Sequence, residues 1–153
     1  MVRPLEDTEE KRACIRRILS ALPDWFGEPK ALEKFVEVGA DSPMYVYWKQ
    51  DQIVGFVCVR PTSESAAEVY VMGVLPAYRH RGIGRLLIRQ CEDYCRRHKL
   101  PLLHVKTLDH RIGDPDYLET YAFYRAMGFL PLEVLPLWDA QNPCLLMVKN
   151  MEE

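Results

Sequence analysis

The apolar positions of this chain alternate between helical and strand spacing, and each switch marks an element. Ala13, Ile15, Ile18, Leu19 and Leu22 recur with helical spacing and predict an amphipathic helix that stops at Pro23. Asp7 and Glu10 form a capping box at its start, after a short strand over about Val2–Leu5. A second helix fits about Pro29–Val38, with Pro29 at its first position and Gly39 after its end. Met44–Lys49 and Ile53–Arg60 are aromatic and β-branched runs flanking Gln50-Asp51-Gln52, the pattern of a hairpin. A polar loop over 61–67 leads to a third hairpin-connected strand, Glu68–Leu75.

Beyond Leu75 the period changes again. A basic, glycine-bearing turn opens into a helix that runs to about Lys99. Leu87, Cys91, Tyr94 and His98 lie on one face of that helix, and Arg89, Glu92, Asp93, Arg96 and Arg97 are read as solvated. Leu102–Thr107 reads as a strand, followed by an acidic loop, Leu108–Pro115. A helix over Tyr117–Met127 ends at Gly128 in the position that favours a left-handed residue. Glu133–Trp138 and Leu145–Lys149 close the chain as strands around the turn Asp139–Pro143. The order is β-α-α-β-β-β-α-β-α-β-β, an α/β (mixed α+β) chain whose sheet is covered by helices on both faces.

Length and composition narrow the class. The 153 residues suit a single domain, 1–153, long enough to bury a core. A formal net charge of −2 provides no global basic field for nucleic acid. The amino terminus lacks the apolar run of a signal peptide, and no apolar stretch approaches the ~18 residues of a membrane span. Five scattered cysteines, an odd number, read as reduced core residues of a cytoplasmic protein. Cys91 and Cys95 lie one helical turn apart without a second Cys/His pair, so no metal site is expected.

The chemistry concentrates in the turn Pro76–Arg85. A β-branched strand runs into a turn with Gly82 and Gly84, which opens a helix among Arg79, Arg81 and Arg85. Outward-pointing N–H groups at a helix start, with the positive end of its dipole, bind anions, and glycine lets a ligand approach the backbone. A diphosphate or similar group is the expected ligand. A P-loop requires a lysine–hydroxyl pair that this turn lacks, and a dinucleotide fingerprint requires a third glycine where Leu87 stands.

What fits is Arg/Gln-x-x-Gly-x-Gly, filled by Arg79, Gly82 and Gly84. This segment resembles the coenzyme A pyrophosphate loop of the GNAT N-acetyltransferase superfamily. A second landmark is Phe123-Tyr124-Arg125-Ala126-Met127-Gly128-Phe129, similar to the family's late helix, Phe-Tyr-x-x-x-Gly-Phe. The resemblance extends from Arg3 to Lys149. It implies a GNAT-type central mixed, mostly antiparallel sheet and transfer of an acetyl group from acetyl-CoA to an amine.

The same resemblance assigns roles by position. The main chain of Met72 and Val74 would pair with the pantetheine arm, and backbone N–H groups from Arg81 through Gly82, Ile83 and Gly84 to Arg85 would hold the pyrophosphate, with Arg79, Arg81 or Arg85 adding charge. Tyr124 is the candidate general acid. A departing thiolate of pKa near ~8.5 and a tyrosine of pKa near ~10 differ by only about 2 kcal/mol. The alternative for Tyr124 is a packed core aromatic. Glu68 is the candidate base: it lies 14 residues before Gly82, the offset of the catalytic glutamate in the histone-acetylating members. Strand alternation places it with Tyr70, Met72 and Val74. The alternative is a strand-end surface glutamate.

Other residues are weaker candidates. His104 and His110 flank a strand end and could face the substrate, but lone histidines generally satisfy local hydrogen bonds. Asp109, Asp114, Asp116 and Glu119 could attract a cationic amine, or form a solvated loop. Trp25 and Phe26 could line an acceptor pocket or pack in the core. Cysteine acyl-enzyme chemistry lacks a partnered histidine, which favours direct transfer. The expected function is acetyl-CoA-dependent N-acetylation of a primary amine on a small molecule or peptide. Alternatives are protein N-terminal or lysine acetylation and a non-catalytic CoA-binding sensor. A homodimer through the terminal strands is open, and no motif identifies the acceptor.

Overall fold

The computed structural model describes residues 1–22, 28–109, 111, 115–138 and 143–151. The elements follow the expected order: β1 (Val2–Pro4), α1 (Thr8–Ser20), α2 (Pro29–Ala40), β2 (Met44–Lys49), β3 (Gln52–Pro61), β4 (Ala66–Val74), a 3₁₀ turn (Pro76–Tyr78), α3 (Ile83–Arg97), β5 (Leu102–Leu108), α4 (Pro115–Ala126), β6 (Leu130–Leu135) and β7 (Cys144–Asn150). Seven strands and four α-helices among the described residues bear out the expected α/β class, and the pairs β1·β2, β2·β3, β5·β7 and β6·β7 are all antiparallel. No helix among the described residues is long and apolar enough to cross a membrane. The chain divides into two units: Met1–Arg60 with Val69–Tyr94, and Pro61–Glu68 with Cys95–Glu153.

The first unit orders its strands β1-β2-β3-β4. Asp7 caps α1 as expected, its carboxylate accepting from the Glu10 N–H at 2.9 Å. The buried face of α1 is Lys11, Cys14, Ile15, Ile18 and Leu19, so Ala13 faces solvent and Cys14 takes the inward place assigned to it. Of these, Cys14, Ile15, Ile18 and Leu19 join Leu22, Val36, Met44, Val46, Phe56, Cys58 and Val71 in one apolar core.

Helix α2 runs two residues further than its sequence pattern predicts. Gly39 therefore lies inside the helix rather than after it, and Asp41 is the capping position. The reason is packing. A Cβ on Gly39 would stand 2.9 Å from Ile15 Cδ1 and 3.2 Å from Cys58 Sγ, so the missing side chain lets α2 approach α1. Ion pairs bridge the outer faces of the same helices, Arg16 to Glu33 at 3.0 Å and Arg12 to Glu37 at 3.2 Å.

Helix α3 corrects two assignments on its faces. Glu92, expected in solvent, is buried, and His98, expected on the apolar face, is exposed. Arg89, Asp93, Arg96 and Arg97 are exposed as predicted.

The second unit orders its strands β5-β7-β6. Leu103, Val105, Thr107, Leu145 and Met147 point to a buried face, and His104, Lys106, Leu108, Leu146 and Val148 alternate onto a half-exposed one. Helix α4 starts two residues earlier than predicted and packs against β5. It ends as expected at Gly128, whose φ is +97°. Strand β6 begins at Leu130 rather than Glu133, and its register with β7 shifts between Pro131 and Glu133.

Candidate active site

The first unit carries the glycine turn. Gly82 accepts the first intrahelical bond of α3, from the Leu86 N–H at 3.2 Å, which makes it the residue at the helix entrance. Ile83, Gly84 and Arg85 then supply first-turn N–H groups that helix geometry leaves without intrahelical acceptors. No acidic side chain sits in that first turn to neutralise the dipole. His80 and Gly82 both have left-handed φ, +61° and +82°. A Cβ built on Gly82 would meet no atom within 4 Å, so the space over the turn is open. These features fit a diphosphate.

The surrounding side chains take different places. Ile83 is buried and anchors the helix start, where a Cβ on Gly55 would come within 3.1 Å of Ile83 Cγ2. The Arg81 guanidinium lies 5.3 Å from the Tyr78 ring centroid, and Arg85 is exposed. Arg79 is half-buried at the end of the 3₁₀ turn. On β4, Tyr70, Met72 and Val74 are half-buried while Val71 and Gly73 are buried, the expected alternation for Met72 and Val74.

The second unit holds both candidate acid–base residues. Glu68 is not the exposed strand-end glutamate of the alternative reading: its side chain is 4% exposed. Its Oε2 accepts from Lys106 Nζ at 2.8 Å. Lys106 lies in the middle of β5 on the half-exposed face, and its side chain is 28% exposed. Cys144 is completely buried near this pair. Burial pushes its thiol pKa up, the Lys106 charge pulls it down, and the Glu68 charge pushes it up again. On β5, His104 Nε2 hydrogen-bonds Thr62 Oγ1 at 2.8 Å.

Tyr124 is buried near the end of α4, with the Phe123 and Phe129 rings edge-on at centroid distances of 5.3 and 5.6 Å. Asp109, read as part of an acidic rim, is instead buried. Arg111 closes on it with Nη2 to Oδ2 at 2.7 Å and Nε to both oxygens at 3.0 Å. Of that stretch, Asp116 is half-exposed and Glu119 exposed. Trp25, Phe26, His110 and Asp114 lie outside the described residues.

Lys106, Arg111, Thr62 and Cys144 were not among the sequence candidates. A lysine alternating with apolar residues in Leu102–Leu108 is the one signal that could have raised Lys106. Its partner stands 38 residues away, beyond reach of local pattern.

The model of the acetyltransferase (GNAT) domain matches residues 40–131. A mycothiol acetyltransferase of Corynebacterium glutamicum is 33% identical over 95 residues, which cover 61% of this chain and 30% of that protein. The chain thus spans less than a third of that relative's length. Among solved structures, a GNAT-family protein from Desulfovibrio desulfuricans superposes with a TM-score of 0.84 at 21% identity, covering 99% of each chain. An aminoglycoside 6′-N-acetyltransferase complexed with coenzyme A gives 0.75 at 17% identity, over 100% of this chain and 98% of that one. At these identities the likenesses show the fold alone.

Proposed function

We propose that this chain, which belongs to the GNAT acetyltransferase family, transfers an acetyl group from acetyl-CoA directly to a primary amine of a small molecule or peptide. The observation that carries this reading is the open turn at Gly82, with first-turn N–H groups, left-handed residues at 80 and 82, and no acidic neighbour in the helix start. Backbone N–H groups from Arg81 to Arg85 hold the pyrophosphate, with Arg79, Arg81 or Arg85 adding charge. The main chain of Met72 and Val74 holds the pantetheine arm. The relative is named for acetyl transfer and the solved complex for N-acetyl transfer with coenzyme A bound, which supports a nitrogen acceptor and acetyl-CoA as donor.

Three proton transfers complete the reaction. An alkylammonium of pKa near ~10.4 is only about 0.04% neutral at pH 7, a cost of roughly 4–5 kcal/mol. Glu68 accepts the first proton and frees the nitrogen lone pair to attack the thioester carbonyl. The C–N bond forms and the C–S bond breaks. Tyr124 gives its phenolic proton to the departing sulfur, and the remaining extra proton on nitrogen restores the phenol. The products are the amide and free coenzyme A thiol, with one net proton released through Glu68. The five buried cysteines take no part, which suits a reducing, cytoplasmic setting. The exposed side chains of Leu130, Leu132 and Val134 on β6 support a homodimer through the terminal strands.

The test is thiol release from acetyl-CoA across polyamines, aminoglycosides, amino acids and peptides. Acceptor-dependent release is the expected result. Tight coenzyme A binding with no release above hydrolysis would replace this reading with that of a CoA-binding sensor.

A further inference from the structure

The Lys106–Glu68 contact constrains the acceptor. Lys106 carries three N–H donors, and among the described residues Glu68 is its one hydrogen-bond partner. Two donors are therefore available on a side chain that is 28% exposed, beside a carboxylate that is 4% exposed. An acceptor amine that gives its proton to Glu68 arrives as a second cation next to the Lys106 ammonium. A buried carboxylate shared by two cations leaves their positive charge in excess, which low-dielectric surroundings penalise. A multiply charged polyamine would make this worse.

An acceptor with its own anion beside the amine removes the conflict. We propose that Lys106 anchors a carboxylate of the acceptor, so that the preferred acceptor is an α-amino acid with an apolar side chain. Its ammonium meets Glu68 and its carboxylate meets Lys106, giving two opposed pairs. The short reach between ammonium and carboxylate on one carbon suits the 2.8 Å contact between Nζ and Oε2. The apolar preference follows from the side chains nearest Lys106 on that face. The registers of β5, β7 and β6 put Leu108, Leu146, Val148 and Leu135 on the same side of the sheet as Lys106, together with His104 and, beyond Leu146, Glu133. This inference rests on the reading of Glu68 as the proton acceptor for the amine.

The decisive comparison uses three acceptors of one shape: leucine, leucinamide and 3-methylbutylamine. With the wild-type protein, kcat/KM for leucine is expected to exceed that for either analogue by about tenfold to a hundredfold, the worth of a charge-assisted hydrogen bond. Lys106→Met should erase that ratio and Lys106→Arg should keep part of it. Equal or better use of the uncharged-carboxyl analogues by the wild type overturns the proposal, even if Lys106→Met fails to fold. So does a ratio that survives in a folded Lys106→Met. If no acceptor releases thiol, calorimetric binding of leucine against leucinamide decides. A preference for leucine there would retain the carboxylate anchor while the acetyl-transfer reading falls.

Discussion

Tyr124 and Phe129 meet twice. The Phe129 N–H donates to the Tyr124 carbonyl at 3.0 Å, and their rings stand edge-to-face at 5.6 Å. With the Gly128 N–H on the Arg125 carbonyl at 3.0 Å, the first contact completes a Schellman closure of α4. The helix end and the aromatic packing therefore fix the same phenol.

Tyr124→Phe keeps the ring and its two aromatic neighbours and removes only the hydroxyl. The expected outcome is a fall in kcat of about 10²-fold, the lower range for a general acid, with little change in KM for acetyl-CoA. Thermal unfolding should move by no more than a few degrees. A full rate in this variant would return Tyr124 to the role of core aromatic.

Gly128→Ala acts on the same region through the backbone. Its φ of +97° is unfavourable for a residue with a Cβ, and that Cβ would stand 3.3 Å from the Lys149 stem. Lys149 Nζ also donates to the Met127 carbonyl at 2.8 Å, so its stem has little freedom to yield. A loss of about 1–2 kcal/mol is expected in urea unfolding.

Gly82→Ala separates binding from packing. Nothing lies within 4 Å of the added Cβ, so only the strain of φ +82° opposes it in the free protein. A methyl over the turn does intrude where the pyrophosphate is proposed to sit. KM for acetyl-CoA should rise about tenfold or more while the acceptor KM changes little. Unaltered acetyl-CoA affinity would remove the turn from the donor site.

The α1–α2 bridge predicts a pH-dependent stability term. Hydrogen bonds from Arg16 hold the Glu33 carboxyl below the usual carboxylate range. A lowered folded-state value stabilises the fold above the ordinary glutamate pKa, about 4.3, and that contribution disappears as pH falls through the folded value. Glu33→Gln should therefore lower Tm slightly at pH 7 and low salt. The gap should close in acid, and in about 1 M salt, because both partners are largely exposed. A difference that persists under both conditions would point to packing rather than charge.

The element order is legible because each segment carries its own period and punctuation, from Asp7 at the start of α1 to Gly128 after α4. Errors occur where tertiary packing overrules local pattern. Gly39 looks like a helix stop, but it is the residue that admits Ile15 and Cys58 against α2. Glu92 and His98 exchange their expected environments on α3. In the candidate site, the glycine turn is legible from its own spacing, and Glu68 is raised as a candidate by the family resemblance. Lys106 and the burial of Asp109 are not legible, because they depend on strand neighbours far apart in sequence and on a side-chain closure by Arg111.

The outer strand β6 bears on how this protein behaves as a solute. Leu130, Leu132 and Val134 are 58, 60 and 39% exposed on a chain with a formal net charge of only −2. Colloidal repulsion between copies is weak, so stickiness should rise with concentration. Yet Pro131 offers no N–H, and the register irregularity beside it spoils a regular hydrogen-bonding edge. Such a surface favours self-limiting clusters held by side chains over the endless ladder of a fibril.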